Sequence, residues 1–112
     1  MKKMKVREFA ESFGMKVLAG GEALDREISG VYIGDLLSWV MSHVKKEDAW
    51  ITVHTHMNIV AVAVLTEASC IIVPEGISVE ETTLKKASEE GIPILGSDMT
   101  SYEIAREAGK MI

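Results

Sequence analysis

The sequence contains little of several residue types, and each scarcity excludes a class of protein. A single cysteine, Cys70, among 112 residues excludes an intrachain disulfide and a metal site built from several thiolates. Lys and Arg number 12 against 17 Asp and Glu, and the net charge of −5 argues against a basic nucleic-acid-binding face. The longest apolar run, from Ile59 to Leu65, is far shorter than the roughly 20 residues that cross a bilayer. The sequence therefore predicts neither nucleic acid nor a membrane as a partner.

Two further absences concern location and source. The amino-terminal segment MKKMKVREFAE becomes acidic at once and lacks the apolar region of a signal peptide, so a cytoplasmic location is predicted. Gln is absent and Asn occurs once, at Asn58. Because Asn and Gln are thermolabile, their scarcity favours a thermophilic source.

The residues that are present alternate between helical and extended patterns. The hydrophobic share of 47% is enough for a core, and the chain is predicted to form a single domain over 1–112, with an amino-terminal helix at about 5–13 and a core at about 24–112. From Gly30 onward the pattern reads strand and helix in strict alternation, including a buried helix at 58–68. Such alternation predicts an α/β fold with three α/β/α layers and a mostly parallel sheet of four or five strands. The order of the strands does not follow from the pattern.

The predicted strand ends indicate where a ligand would bind. In open parallel sheets, ligands bind beyond the carboxyl ends of the strands. Predicted helix starts at Asp35, Asn58, Ser78 and Thr100 add free N–H groups and a partial positive charge, which suit anions. An alternative is that the same residues only form turns and caps. The candidate ligand-binding residues are Gly34, Asp35, Thr55, His56, Asn58, Glu75, Gly76, Ser97 and Asp98.

Two histidines, His54 and His56, stand one residue apart: His54 lies in the segment AWITVHT, which is predicted to be a strand, and His56 follows directly after it. Alternate residues of a strand face the same side, so the two rings are expected to project together. The pair then has three readings: a zinc or manganese site, a contact for another ligand, or a structural role in which His56 bonds loop backbone and His54 packs between helices. A metal would need a third ligand from Asp35, Glu75 or Asp98, and none of these belongs to a metal motif. No cofactor is therefore predicted, and zinc or manganese remains the alternative.

The remaining chemical groups do not form a catalytic motif. Cys70 lies in an apolar run and is predicted to be an inert core thiol. No serine-nucleophile, phosphate-loop or dinucleotide-binding motif occurs, and the chain is predicted not to be an enzyme. Trp39, Trp50 and seven Met are interpreted as core residues or as part of a self-association face, and a homodimer is expected.

Four segments in order resemble a known family. They are GVYIGDLL, WITVHTHMNIVAVA, IIVPEG and GIPIL, and the resemblance covers Leu24 to Ile112. Together they resemble a DRTGG domain, here as a stand-alone copy. The family is similar to the amino-terminal domain of HPr kinase/phosphorylase, which implies an α/β fold with helices flanking a parallel sheet. DRTGG domains also accompany CBS domains in some pyrophosphatases, which implies a regulatory or assembly role.

Three hypotheses for function remain open at this point. The first is a non-catalytic regulatory or assembly module that senses a nucleotide-like or phosphorylated small molecule at the carboxyl rim of the sheet. The second is a metal-assisted hydrolase that uses His54 and His56. The third is a pure protein-interaction partner of a kinase or a CBS-type protein.

Overall fold

The computed structural model describes residues 3–112, and these form a single sheet layered between helices, with a small ribbon beside it. The strict alternation predicted from Gly30 onward is confirmed. A short 3-10 turn is present at Gly21–Ala23. The elements in chain order are β1 (Met4–Lys5), α1 (Val6–Ser12), β2 (Lys16–Ala19), β3 (Glu27–Ile28), β4 (Gly30–Ile33), α2 (Leu37–His43), β5 (Asp48–Ile51), α3 (Asn58–Thr66), β6 (Cys70–Val73), α4 (Glu81–Glu90), β7 (Ile94–Gly96) and α5 (Ser101–Ala108).

The main sheet has five strands in the order β2-β7-β6-β5-β4. Strands β4 to β7 are parallel neighbours, and β2 pairs antiparallel with β7 at one edge. The predicted mostly parallel sheet of four or five strands is therefore confirmed. Glu27–Ile28, ahead of the predicted alternation, pairs with Met4–Lys5 as a separate antiparallel ribbon.

The strand order decides which helices lie on which face. Each step from β4 through β7 moves to the adjacent strand in the same direction, and right-handed crossovers then place α2, α3 and α4 on one face. The two core clusters agree: one contains side chains of these three helices, and the other contains those of α1 and α5 on the opposite face. The three-layer α/β/α architecture follows from this arrangement.

The centre of the sheet is completely covered. Every residue of β6 is buried, as expected for a strand with helices on both sides. Helix α3 lies over this region and buries Ile59, Val60, Val62 and Ala63. The prediction that this helix is buried is only half right, because its opposite side, including Leu65, is exposed. Within residues 3–112, no helix has the length and apolar character needed to cross a membrane.

The helix starts test the predicted caps. Thr100 caps α5: its hydroxyl accepts from Glu103 N at 3.1 Å, and the Glu103 carboxylate accepts from Thr100 N at 3.0 Å. Of the other predicted starts, Asn58 is the first residue of α3, whereas α2 and α4 begin at Leu37 and Glu81, after the predicted Asp35 and Ser78. Leu36, Met57 and Glu80 precede α2, α3 and α4, and none of them makes a side-chain cap. The side chain of Asp35 does not cap α2, because it accepts hydrogen bonds from the loop that follows β5.

Candidate functional site

The four parallel strands end at one edge of the sheet, so all nine candidate ligand-binding residues lie along a common rim. This carboxyl rim has two halves, one beyond β4 and β5 and one beyond β6 and β7. The two halves differ in structure: the first is a loop fixed by its own hydrogen bonds, and the second is an open cleft.

Asp35 organises the β4–β5 half. Its Oδ1 atom accepts from Thr52 Oγ1 at 2.8 Å and from Val53 N at 2.9 Å. Thr52 Oγ1 also accepts from His54 N at 3.2 Å, and the indole of Trp50 donates to Gly34 O at 2.9 Å. The Asp35 carboxylate therefore joins the segment after β4 to the loop after β5, instead of capping α2.

The histidine pair does not have the predicted geometry. Strand β5 ends at Ile51, so His54 and His56 lie in a loop, and the expected side-by-side projection from a strand is wrong. His54 Nε2 contacts the backbone oxygen of Asp35, whereas His56 Nδ1 accepts from Asn58 N at 3.2 Å. In the described part of the chain, no three His, Cys, Asp or Glu side chains are grouped so as to hold a metal ion.

The two rings thus contact backbone in different segments: His54 contacts the segment after β4, and His56 contacts the first residue of α3. The structural reading predicted this for His56, near Asn58, but His54 bonds to a strand-end carbonyl instead of packing between helices. Asn58 is the first residue of α3, so its side chain does not precede the helix as a cap. The nearby Thr55 carbonyl accepts from the hydroxyl of Thr83, a fully buried residue of α4, at 2.6 Å.

The β6–β7 half is held together by backbone hydrogen bonds between two strand ends. Gly76 N donates to Ser97 O at 2.8 Å, and Glu75 N donates to Met99 O at 2.9 Å. Ser97 Oγ accepts from Met99 N at 3.0 Å, which leaves its hydroxyl proton free to donate. A side chain at Gly76 would approach Asp98 Oδ1 to 3.1 Å. The two loops therefore form a rigid base on which further groups can be arranged.

A cleft of about 350 Å³ opens over this base. It is within the usual range of small-molecule sites, roughly 300–1,000 Å³. Three predicted residues line it, namely Gly76, Ser97 and Asp98, while the other six candidates lie on the rim outside it. The full lining consists of Gly14, Lys16, Leu18, Gly76, Ile77, Ser78, Val79, Leu84, Gly96, Ser97 and Asp98.

Lys16 is the main residue that the sequence reasoning missed. It starts β2, and because β2 runs antiparallel to β7, Lys16 pairs with Gly96 at the carboxyl rim. No carboxylate of the described residues lies within ion-pair distance of its amine, so the charge is available to a ligand. The sequence shows a lysine at the start of a strand. It does not show that this strand pairs antiparallel with β7, and only that pairing places the lysine at the carboxyl rim.

The cleft combines three kinds of group. The Lys16 ammonium suits an anion such as a phosphate, and the Asp98 carboxylate accepts hydrogen bonds from hydroxyl groups. Leu18, Val79 and Leu84 supply an apolar wall. The cleft can therefore hold a molecule that has an apolar or planar part, hydroxyl groups and a negative charge.

Cys70 lies away from this cleft, in the middle of the core. It is fully buried in β6, and this burial raises the pKa of its thiol to about 12, an effect that nearby Arg26 only partly offsets. A thiol with so high a pKa is protonated at neutral pH and is a poor nucleophile. The predicted position of Cys70 in the core is confirmed, and its lack of reactivity stays a prediction.

The fold and the rim together define a small α/β/α domain with a cleft at the carboxyl ends of its strands. The chain belongs to the DRTGG domain family, whose profile matches residues 8–111. The family expected from the four sequence segments is thereby confirmed. A search of curated proteins found no match.

Several solved structures are similar in fold to this chain, and one of them is part of a larger protein. It is the regulatory region of Clostridium perfringens pyrophosphatase, comprising CBS and DRTGG domains in complex with the activator diadenosine tetraphosphate. The TM-score is 0.72 at 13% identity, over 91% of this chain and 44% of that chain. The chain thus spans less than half of that structure, and the likeness shows the fold alone.

Proposed function

We propose that this protein is a non-catalytic regulatory module that binds a nucleotide-like or phosphorylated small molecule in the rim cleft. The observation that carries the proposal is the grouping of Lys16, Asp98 and an apolar wall at the carboxyl ends of β6 and β7. In this arrangement the Lys16 ammonium binds a phosphate, and Asp98 accepts hydrogen bonds from ribose hydroxyls. The apolar wall packs against a base.

Two comparisons support this proposal. The chain belongs to a family that occurs, in the Clostridium perfringens pyrophosphatase, within a regulatory region. That region was solved with a dinucleotide activator, which is a ligand of the proposed class. Bound ligand would change the shape and charge of the rim and thereby change how the module contacts other proteins. We place this module in the cytoplasm, as a single domain.

The test is a thermal-shift and calorimetry panel on tag-free protein. The probes are adenosine mono-, di- and triphosphate, diadenosine tetraphosphate, ribose 5-phosphate, inorganic phosphate, zinc, manganese and a chelator. A ligand present at 100 times its dissociation constant stabilises the fold by about 2.7 kcal/mol, which is a shift of several degrees in Tm. We expect a shift with a nucleotide and a smaller one with inorganic phosphate.

Variants locate the site. Lys16→Met and Asp98→Ala should each weaken nucleotide binding at least about tenfold, because each removes a charged hydrogen-bonding partner worth about 1.5–3 kcal/mol. Lys85→Met, which removes an exposed lysine of α4 outside the cleft, is the matched control and should bind normally. No shift with any nucleotide or phosphate, or equal affinity in all three variants, would contradict the proposal. A shift only with metal, reversed by chelator, would instead favour the hydrolase hypothesis.

A specific observation also favours an assembly role. Several large apolar side chains are exposed on the layer that contains α2 and α3, among them Leu36, Trp39 and Leu65. Large exposed apolar patches mark interaction sites. The module is therefore proposed to act as a homodimer, as its Trp and Met content suggests, while a kinase or CBS-type protein is the alternative partner.

A further inference from the structure

The exposed apolar side chains are concentrated on the outer surface of α2 and α3. Leu65 is 70% exposed and Trp39 is 57% exposed, although residues of these types are usually buried. This surface, termed the α2–α3 face, consists of Leu36, Trp39, Met41, Met57, Val64 and Leu65, with the small Ala61 among them.

The α2–α3 face carries no formal charge. No Lys, Arg, Asp or Glu occurs in 36–44 or in 49–66, although charged residues make up 26% of the chain. The neighbouring helix α4 is different, because its exposed side carries Lys and Glu and includes the ion pair Lys86–Glu90. Protein interfaces have this composition: a centre enriched in Trp and Met and depleted of charge, surrounded by a polar rim.

The size of the face agrees with an interface between two proteins. The exposed fractions amount to on the order of 700 Å² of apolar surface, above the roughly 300–600 Å² of the largest patch on a typical monomer. Each partner in a standard stable interface buries about 800 Å². The face thus supplies most of the area of such an interface, and the polar residues around it would supply the rest.

The spacing of residues on α3 makes the face complementary to itself. Met57, Ala61 and Leu65 recur every four residues and lie along one exposed stripe. Ala61 is at the centre of the stripe, with one long apolar side chain a turn before it and another a turn after it. A two-fold axis through Ala61 would bring two antiparallel α3 helices together and place Met57 of each copy against Leu65 of the other.

We infer that the α2–α3 face binds a second copy of this chain, with the two α3 helices crossing at Ala61. This inference specifies the homodimer of the proposed function and is independent of the ligand cleft. The self-complementary spacing along α3 favours a second copy of the chain over a different partner, because each long side chain then meets its counterpart across the two-fold axis. Two copies that each carry a net charge of −5 can meet there without opposing like charges.

The test measures mass in solution by light scattering and sedimentation at micromolar concentrations. Wild-type protein should be a dimer, and Leu65→Glu should raise the dimer dissociation constant at least about 100-fold, because each copy would place an unpaired carboxylate in an apolar interface. Tyr102→Glu is the matched control: Tyr102 is 69% exposed on α5, in the opposite helix layer, and should leave the dimer intact. Circular dichroism confirms that both variants are folded.

A second measurement locates the axis. Ala61→Cys should form disulfide-linked dimers under mild oxidation, whereas Thr82→Cys, on the exposed side of α4, should not. The buried Cys70 contributes no reactive thiol. A monomeric wild type would overturn both the homodimer and its location. A wild-type dimer that persists in Leu65→Glu, or that is not linked through Ala61→Cys, would overturn the location alone.

Discussion

Replacement of Gly20 by alanine should destabilise this fold far more than the same change at other glycines. Gly20 has a φ of +71°, where a side chain is strained, and a Cβ atom there would lie 2.4 Å from Ile92 O and 2.6 Å from Pro93 Cα. These are backbone atoms, and Pro93 O accepts a hydrogen bond from Ile71 N at 2.9 Å. They cannot retreat without disturbing the centre of the sheet.

Alanine substitutions at two other glycines separate the cost of backbone strain from the cost of the steric clash. Gly14 has a φ of +62° with no atom within 4 Å of an added Cβ, so Gly14→Ala measures the backbone strain alone, about 1–2 kcal/mol. Gly21 has neither the positive φ nor a close neighbour, and Gly21→Ala should change the free energy of unfolding by less than about 1 kcal/mol. Gly20→Ala combines strain with overpacking, itself about 1–3 kcal/mol, for a total of about 2–5 kcal/mol.

The assay is urea unfolding followed by circular dichroism and by the fluorescence of the buried Trp50. The expected order of stability is Gly21→Ala, then Gly14→Ala, then Gly20→Ala. Gly20 also follows β2, which supplies Lys16 and Leu18 to the cleft, so Gly20→Ala should weaken ligand binding as well. If Gly20→Ala were as stable as Gly14→Ala within about 0.5 kcal/mol, an added methyl group would be accommodated freely and the steric argument would be refuted.

Three more predictions concern single groups. Thr83→Val should lower the free energy of unfolding by about 1–3 kcal/mol because it leaves the Thr55 carbonyl unpaired, whereas Thr83→Ser should restore much of the loss in urea titrations. Cys70, with its thiol pKa raised to about 12, should react with a thiol reagent only after unfolding; rapid modification of the native protein would show that the core opens. The backbone hydrogen bond from Thr100 lowers the pKa of Glu103 below 4.5, so the stabilisation is present above that pH and is lost as pH falls through the folded pKa. The stability difference between wild type and Glu103→Gln should accordingly shrink from pH 7 to pH 3, and a constant difference would contradict this origin.

Local sequence signals predicted the central elements well. The four apolar residues of β6, Cys70 to Val73, form a continuous run that is typical of a doubly covered strand, and Thr100 with Glu103 is a capping pair whose partners are three residues apart. In each case the physical cause lies within a few residues, so the pattern shows it directly.

The end of β5 and the position of Lys16 depend on residues far away in the sequence, and neither was predicted correctly. The β-branched residues after Ile51 favour extended backbone, and the predicted strand therefore ran on to Thr55. In the structure the Asp35 carboxylate accepts a hydrogen bond from Val53 N, and the strand ends at Ile51. The role of Lys16 was missed for a related reason, since its position depends on a pairing with the last strand. The candidate site was thus predicted at its β6–β7 base, and not at its β2 wall.

The pairing of β2 with β7 also has a consequence for how the protein is made. Lys16 meets Gly96 about 80 positions later in the chain, and closing so long a loop is slow because it costs entropy before any contact compensates. During synthesis β2 leaves the ribosome first among the strands of the main sheet, yet it has no partner there until the final strand has been made. The cleft between them is therefore complete only after β7 and Asp98 have been made, and a ligand bound there would distinguish chains that have passed this point from shorter nascent ones.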